Sequence, residues 1–218
     1  MVILSSPSGG GKTTVCEKIL GRHKDCVRSI SVTTRKRRKG ERQGQDYLFV
    51  TEEEFKQKIR RREFVEWAWV HGHRYGTLKR SVTRAQEGGK VAFFVLDVQG
   101  GIAMKKLYPQ SVLIFVLPPS VGELKRRLIR RGTEDSQEMK DRLRTALKEI
   151  HFWSKYDYVV INKNLEQTVR SVETIIQAEE LKAGRFDHTR WGEKKGQTQR
   201  PRPKGRRFFR FVPKRDLA

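Results

Sequence analysis

Apolar and polar positions along the chain follow two rhythms in turn. MVILS at the start is an apolar run of strand length. Residues 12–22 then place Val15, Cys16, Ile19 and Leu20 at the spacing of one helix face. The pairing recurs. VAFFVLD (91–97), SVLIFVL (111–117) and YDYVVIN (156–162) are rich in β-branched and aromatic residues, and the first two precede helical stretches at 100–107 and 120–130. Apolar strands alternating with helices predict an α/β fold with a parallel core sheet flanked by helices. Between Ser29 and Ala85 the texture changes to shorter segments such as DYLFV, FVEWAWV and HRYGT, which predict an insertion built partly of strands. A charged helical stretch is expected over 134–152 and a last helix over 165–182. After about Lys182 the rhythm stops. GEKKGQTQRPRPKGRR has the composition of a basic, disordered tail.

The 218 residues suit one domain with insertions, or one domain and a tail. Their net charge is +23, and residues 182–218 alone hold 13 Lys/Arg against 3 Asp/Glu. Such an excess favours polyanionic ligands: nucleotides, nucleic acid or acidic surfaces. RRFFRFV sets aromatics among arginines, the composition of a single-strand nucleic-acid contact, although a solvated tail docking its aromatics on the parent domain is the plainer and preferred reading. The longest apolar runs fall far short of the ~20 residues that span a bilayer. No leading secretion signal is evident. Cys16 and Cys26 form neither a disulfide framework nor a metal spacing, so a cytoplasmic location is expected. His71 and His73 read as loop or surface residues rather than as a metal site.

The first chemistry-bearing motif is SSPSGGGKTT. Gly11-Lys12-Thr13 ends a phosphate-loop pattern whose first glycine is replaced by Ser6. In such loops backbone N–H groups and the following helix terminus grip the anion. Glycine matters most at the tight end, where Gly9, Gly10 and Gly11 stand. Ser6 is tolerable at the strand exit if its φ stays negative. The residues expected to hold the phosphates are Ser6, Pro7, Ser8, Gly9, Gly10, Gly11, Lys12, Thr13 and Thr14. Lys12 would reach the β- and γ-phosphates, and the Thr13 hydroxyl would bind Mg²⁺. A chance glycine-rich turn is the plain alternative; the strand before and the helix after favour the phosphate loop. Asp97 ends a central strand at its carboxyl end, where open α/β sheets bind ligands, or it caps a helix.

At SVTTRKRRKGE, GQDYLFV, FVEWAWVHGHRYGT, LDVQG, VLPPS, RRGTEDS and YDYVVIN the chain resembles the guanylate kinases, bacterial ones especially, over residues 1 to about 181. The resemblance implies ATP + GMP → ADP + GDP (dGMP also serving as acceptor), with ATP and Mg²⁺. It implies a P-loop NTPase fold in three parts: a core (1–30, 82–119, 153–181), a GMP-binding α+β insertion (31–81) and a helical lid (120–152). Arg35, Arg38, Tyr47 and Tyr75 would hold the GMP phosphate, since guanidinium forks and phenol hydroxyls match its oxygens. Ser31, Glu66, Thr77 and Asp97 would surround the guanine. Arg131 and Arg142 would close over the triphosphate with Lys12 as the catalytic cations. Asn162 would border the adenine.

Glu66 would set specificity. One ionised carboxylate accepts both the N1–H and the amino group of guanine, whereas adenine offers an acceptor at N1. Val95 departs from the family, which commonly has an Asp two residues before the one at 97. Two other readings stand beside the kinase: a catalytically silent binding module of the same fold, and a nucleic-acid-binding protein acting through the tail. Retention of Lys12, Thr13, Arg131 and Arg142 speaks against the silent module. Oligomeric state is not legible.

Overall fold

The computed structural model describes residues 1–87, 89–130 and 136–185. In chain order the elements are β1 (Val2–Ser5), α1 (Lys12–Arg22), β2 (Cys26–Arg28), β3 (Val32–Thr33), β4 (Leu48–Phe49), α2 (Glu52–Arg60), β5 (Phe64–Val70), β6 (His73–Leu78) and α3 (Lys79–Glu87). Then follow β7 (Val91–Leu96), α4 (Val98–Leu107), β8 (Val112–Leu117), α5 (Val121–Arg130), α6 (Ser136–Ile150), β9 (Tyr158–Ile161) and α7 (Leu165–Glu180). Arg131 and residues 186–218, with most of the basic tail, lie outside the described residues.

The apolar runs pair into a parallel five-stranded sheet, ordered β2–β7–β1–β8–β9. At its centre Val2 is level with Phe93 on one side and Val112 on the other. Strand alternation sends Val2, Leu4, Phe93, Val95 and Ile114 to a face covered by α1 and α7. It sends Ile3, Phe94, Leu96, Leu113 and Phe115 to a face covered by α3 and α4. Each such side chain, fully buried, is worth ~1.5–3 kcal/mol, so the sheet is a stiff base for what hangs from it. Because the strands are parallel, Ser5, Leu96, Leu117 and Ile161 all deliver the chain to one edge.

A second, four-stranded sheet, β4–β3–β6–β5, stands apart from the first. Its hairpin β5–β6 turns at His71 and Gly72, whose φ values of 47 and 74 give the two left-handed positions of a type I′ turn. The sheet has its own core of Val32, Phe55, Phe64 and Leu78, with Phe55 stacked on Phe64 at 4.5 Å. Beside these strands the segment holds helix α2, the α+β mixture of the expected fold class, while α3 packs on the core sheet through Val82. α2 opens with a capping box: Glu54 N–H donates to Thr51 Oγ1 at 3.1 Å, and Thr51 N–H to Glu54 Oε2 at 2.7 Å.

α5 and α6 pack as a pair through Leu124, Leu128 and Ala146. The expected helix start at 100 moves back to Val98, because Asp97 caps it. Residues 182–185, read from sequence as the start of the tail, instead fold back onto α7. The buried Glu179 carboxylate accepts Tyr158 Oη at 2.6 Å and Arg185 Nη2 at 2.9 Å, with Lys182 Nζ at 2.5 Å. Arg185 also donates to the Gln110 carbonyl at 3.0 Å, beside the amino end of β8. Among the described residues no helix is long and apolar enough to cross a membrane.

Candidate active site

The loop from Ser6 to Gly11 leaves β1 at the carboxyl edge of the sheet. It closes with a Gly10 N–H to Pro7 carbonyl bond of 2.9 Å. Ser6 is buried and is not among the residues with positive φ, so serine meets the backbone condition at that position. The tight end is different. A Cβ on Gly10 would lie 2.6 Å from Ser6 Cβ, and one on Gly11, where φ is 98, would lie 2.4 Å from Asn162 Nδ2. Both positions therefore require glycine. Gly11 caps α1 without a side-chain bond, and the first turn of α1 holds no acidic residue. The positive end of the helix therefore favours an anion. Lys12 and Thr13, half-buried, begin that turn, while Thr14 is exposed.

The loop rests on a brace that the sequence did not reveal. Asn162, buried at the end of β9, donates from Nδ2 to the Gly10 carbonyl at 3.0 Å and accepts Thr168 Oγ1 at 3.1 Å. Arg127 of α5 donates to the Asn162 carbonyl at 3.0 Å and is held by Glu123 at 2.8 Å. The Asn162 amide, expected to border adenine, is thus engaged beneath the loop. Arg142 is half-buried on α6.

Across the edge lies a second cluster. Asp97 Oδ1 accepts the Gln99 and Gly100 N–H groups at 2.8 and 3.1 Å, capping α4, so the plain reading of this residue is fulfilled. Its other oxygen shares the surroundings of Gly100 with Glu66. A Cβ on Gly100 would stand 3.0 Å from Glu66 Oε2 and 3.6 Å from Asp97 Oδ2. Burial pushes the Glu66 carboxyl up to about 7; Asp97 adds to the rise, and the neighbouring Thr77, its register partner on β6, opposes it. The two halves meet where Ser5 Oγ donates to the Asp97 carbonyl at 3.3 Å.

Farther out on the small sheet, Arg35 is buried and many-handed. Nε donates to Tyr75 Oη at 3.1 Å, Nη1 to the Lys36 carbonyl at 2.7 Å and Nη2 to Glu41 Oε1 at 2.7 Å. Its guanidinium lies 5.6 Å from the Tyr47 ring centre. Glu41 holds the Arg35 charge in place and accepts the Arg38 N–H at 2.8 Å. The Arg38 side chain is exposed, and Ser31 is buried. Glu41 was missed although it stands in the quoted SVTTRKRRKGE stretch. Val95 is buried in the apolar cluster under α1 and α7. In this chain that position belongs to the core.

The arrangement offers a lysine-bearing anion loop, a pair of carboxylates at Gly100 beside it and, farther out on the small sheet, a buried arginine. Residues 1–179 match the family model described as guanylate kinase. Curated relatives named guanylate kinase include one from Clostridium perfringens (strain 13 / Type A), 44% identical over 85% of this chain and 86% of its own. Another, from Myxococcus xanthus (strain DK1622), is 44% identical over 88% of this chain and 92% of its own. The crystal structure of guanylate kinase from Anaplasma phagocytophilum superposes with a TM-score of 0.73 at 34% identity, covering 88% of this chain and 91% of that one. The chain belongs to the guanylate kinase family, the nucleoside-monophosphate kinases that move the γ-phosphoryl group of ATP to GMP.

Proposed function

We propose that the cleft at the carboxyl edge of the core sheet carries out this transfer with the following division of labour. The Ser6–Thr14 loop holds the ATP phosphates through its backbone N–H groups, with Lys12 on the β- and γ-phosphates. Asn162, Arg127 and Thr168 keep that loop in shape from below. Arg35, Tyr47, Tyr75 and Arg38 receive the GMP phosphate, with Glu41 orienting Arg35. Glu66, Asp97, Thr77 and Ser31 surround the guanine, and Glu66 selects it.

The acceptor is already an anionic phosphate oxygen, so the chemistry requires no protein base. The bond from the γ-phosphorus to the ADP bridging oxygen breaks while a bond to the GMP phosphate oxygen forms. Catalysis then consists of alignment and neutralisation of charge, in which Arg142 and Arg131 join Lys12. Among the described residues no group of three or more His, Cys, Asp or Glu side chains is placed to hold a metal. A single hydroxyl donor, Thr13 at the start of α1, suits Mg²⁺, which keeps several waters and leans on substrate phosphates; Thr13 would be its protein ligand, and the ion would offset phosphate charge.

The observation that carries this reading is the convergence of Glu66 and Asp97 on Gly100, joined to the phosphate loop through Ser5. A coupled ADP-release assay with GMP, AMP, UMP or no acceptor tests it. GMP should be turned over far faster than AMP or UMP. Equal rates with AMP would overturn the guanine assignment.

A further inference from the structure

Beside the cations Lys12 and Arg127, the phosphate loop has a charged neighbour with the sign a phosphate would have. Glu149, on α6, accepts the Ser8 backbone N–H through Oε2 at 3.1 Å, reaching across 141 residues of chain. Burial raises its carboxyl above the usual range and Asp97 adds to that, while Lys12 pulls the other way. The helix pair that bears Glu149 is itself seated on the loop. A Cβ on Gly9 would lie 3.3 Å from Leu124 Cδ1 and 3.3 Å from Leu128 Cδ2, and those leucines share a buried cluster with Ala146 of α6. Arg142, Ala146 and Glu149 follow one another along one side of α6, at the four- and three-residue spacing of a helix face. That side therefore presents an anion to the loop at one end and a cation two turns away.

A carboxylate and a terminal phosphate are alike where this loop is concerned. Both offer negative oxygens that accept N–H bonds and pair with a lysine ammonium. For the same reason they exclude each other, because like charges cannot crowd one N–H and one ammonium without cost. We propose, on the basis of the kinase reading above, that Glu149 is an internal stand-in for the nucleotide phosphate. Its carboxylate competes with the terminal phosphate for the Ser8 end of the loop and for Lys12. Exchange of one anion for the other ties ATP entry to the position of the α5–α6 arm. Glu149 is thus a positioning residue, and its contact works against nucleotide affinity.

The test is the binding of inorganic pyrophosphate to the full chain, measured by titration calorimetry without acceptor, for the unsubstituted protein, Glu149→Gln and Glu149→Ala. Gln keeps the size and one acceptor oxygen but loses the charge; Ala loses both. Removing a competing charged hydrogen bond should tighten pyrophosphate binding roughly tenfold or more in both variants. The KM for ATP should fall with it. Unchanged or weaker binding in Glu149→Gln would overturn the proposal and make Glu149 a holder of Lys12 while phosphate is bound. If both variants fail to fold, the Glu149 carboxyl carbon resonance of the unsubstituted chain decides: it must shift on addition of pyrophosphate, and an unmoved resonance refutes the exchange. Turnover with ATP and GMP in the same preparation separates the two readings. No turnover refutes the kinase assignment, whereas turnover without tightened binding refutes the role of Glu149 alone.

Discussion

In the proposed reading acceptor choice turns on Glu66, and its protonation offers a quantitative test. Burial lifts its carboxyl from an ordinary 4.5 to about 7. Guanine presents two donors, so the ionised form must receive it. A group titrating near 7 is about one-tenth ionised at pH 6 and about nine-tenths at pH 8, so kcat/KM for GMP should climb roughly tenfold across that interval. The GMP phosphate also titrates, with a second pKa of about 6. Glu66→Gln keeps that titration and lacks the carboxyl. The ratio of wild-type to Glu66→Gln kcat/KM, followed by coupled ADP release with coupling enzymes in excess, should therefore show the climb alone. The same shift has a consequence for stability. A carboxyl raised in the folded state stabilises below its unfolded pKa of 4.5, and that contribution is lost as pH rises through about 7. At ~1.4 kcal/mol per unit the swing is at most about 3 kcal/mol, less because the side chain is partly exposed. Glu66→Gln should accordingly melt higher relative to wild type at pH 8 than at pH 5. A ratio that is flat with pH, or that falls, would refute the idea that an ionised Glu66 reads the base.

Three further outcomes follow from the same geometry. Lys12→Ala should abolish turnover while leaving circular dichroism and melting temperature near wild type; near-normal activity would dismiss the loop as the transfer site. Asn162→Ala strips the Gly10 carbonyl and Thr168 hydroxyl of their buried partner. It should cost about 1–3 kcal/mol in chemical denaturation and raise KM for ATP more than KM for GMP; a larger effect on GMP would contradict its role as a brace. Arg35→Lys keeps the charge but loses the fork shared among Tyr75, Lys36 and Glu41. KM for GMP should rise at least tenfold, and an unchanged KM would remove Arg35 from the phosphate site.

Much of the core was legible because its strands are buried on both faces and so read as unbroken apolar runs: Val2–Ser5, Val91–Leu96 and Val112–Leu117 could be little else. The small sheet was harder. Its strands are short, and α2 buries only Phe55, so its helical rhythm is faint beneath the charges. The Thr51–Glu54 capping box was the available signal there. Cys26–Arg28 is too short to stand out as a strand at all. In the site, the glycines and Lys12 announced themselves by local spacing. Arg127 and Glu149 did not, and Asn162 was reached only through the family resemblance, because each meets the loop itself across more than 100 residues of chain, Arg127 at the Gly10 carbonyl. No local pattern distinguishes a glutamate that faces water from one that faces a phosphate loop.

Glu179 pins the end of α7 and Arg185 to the Gln110 carbonyl, beside the start of β8 and close to Met1. The strands run from there toward the nucleotide cleft, so the described chain makes its exit at the rear pole of the domain. A fusion partner, surface tether or reporter attached after Arg185 would hang from the edge of the core sheet opposite the phosphate loop. Anchoring the protein by that end would leave its mouth facing the solution.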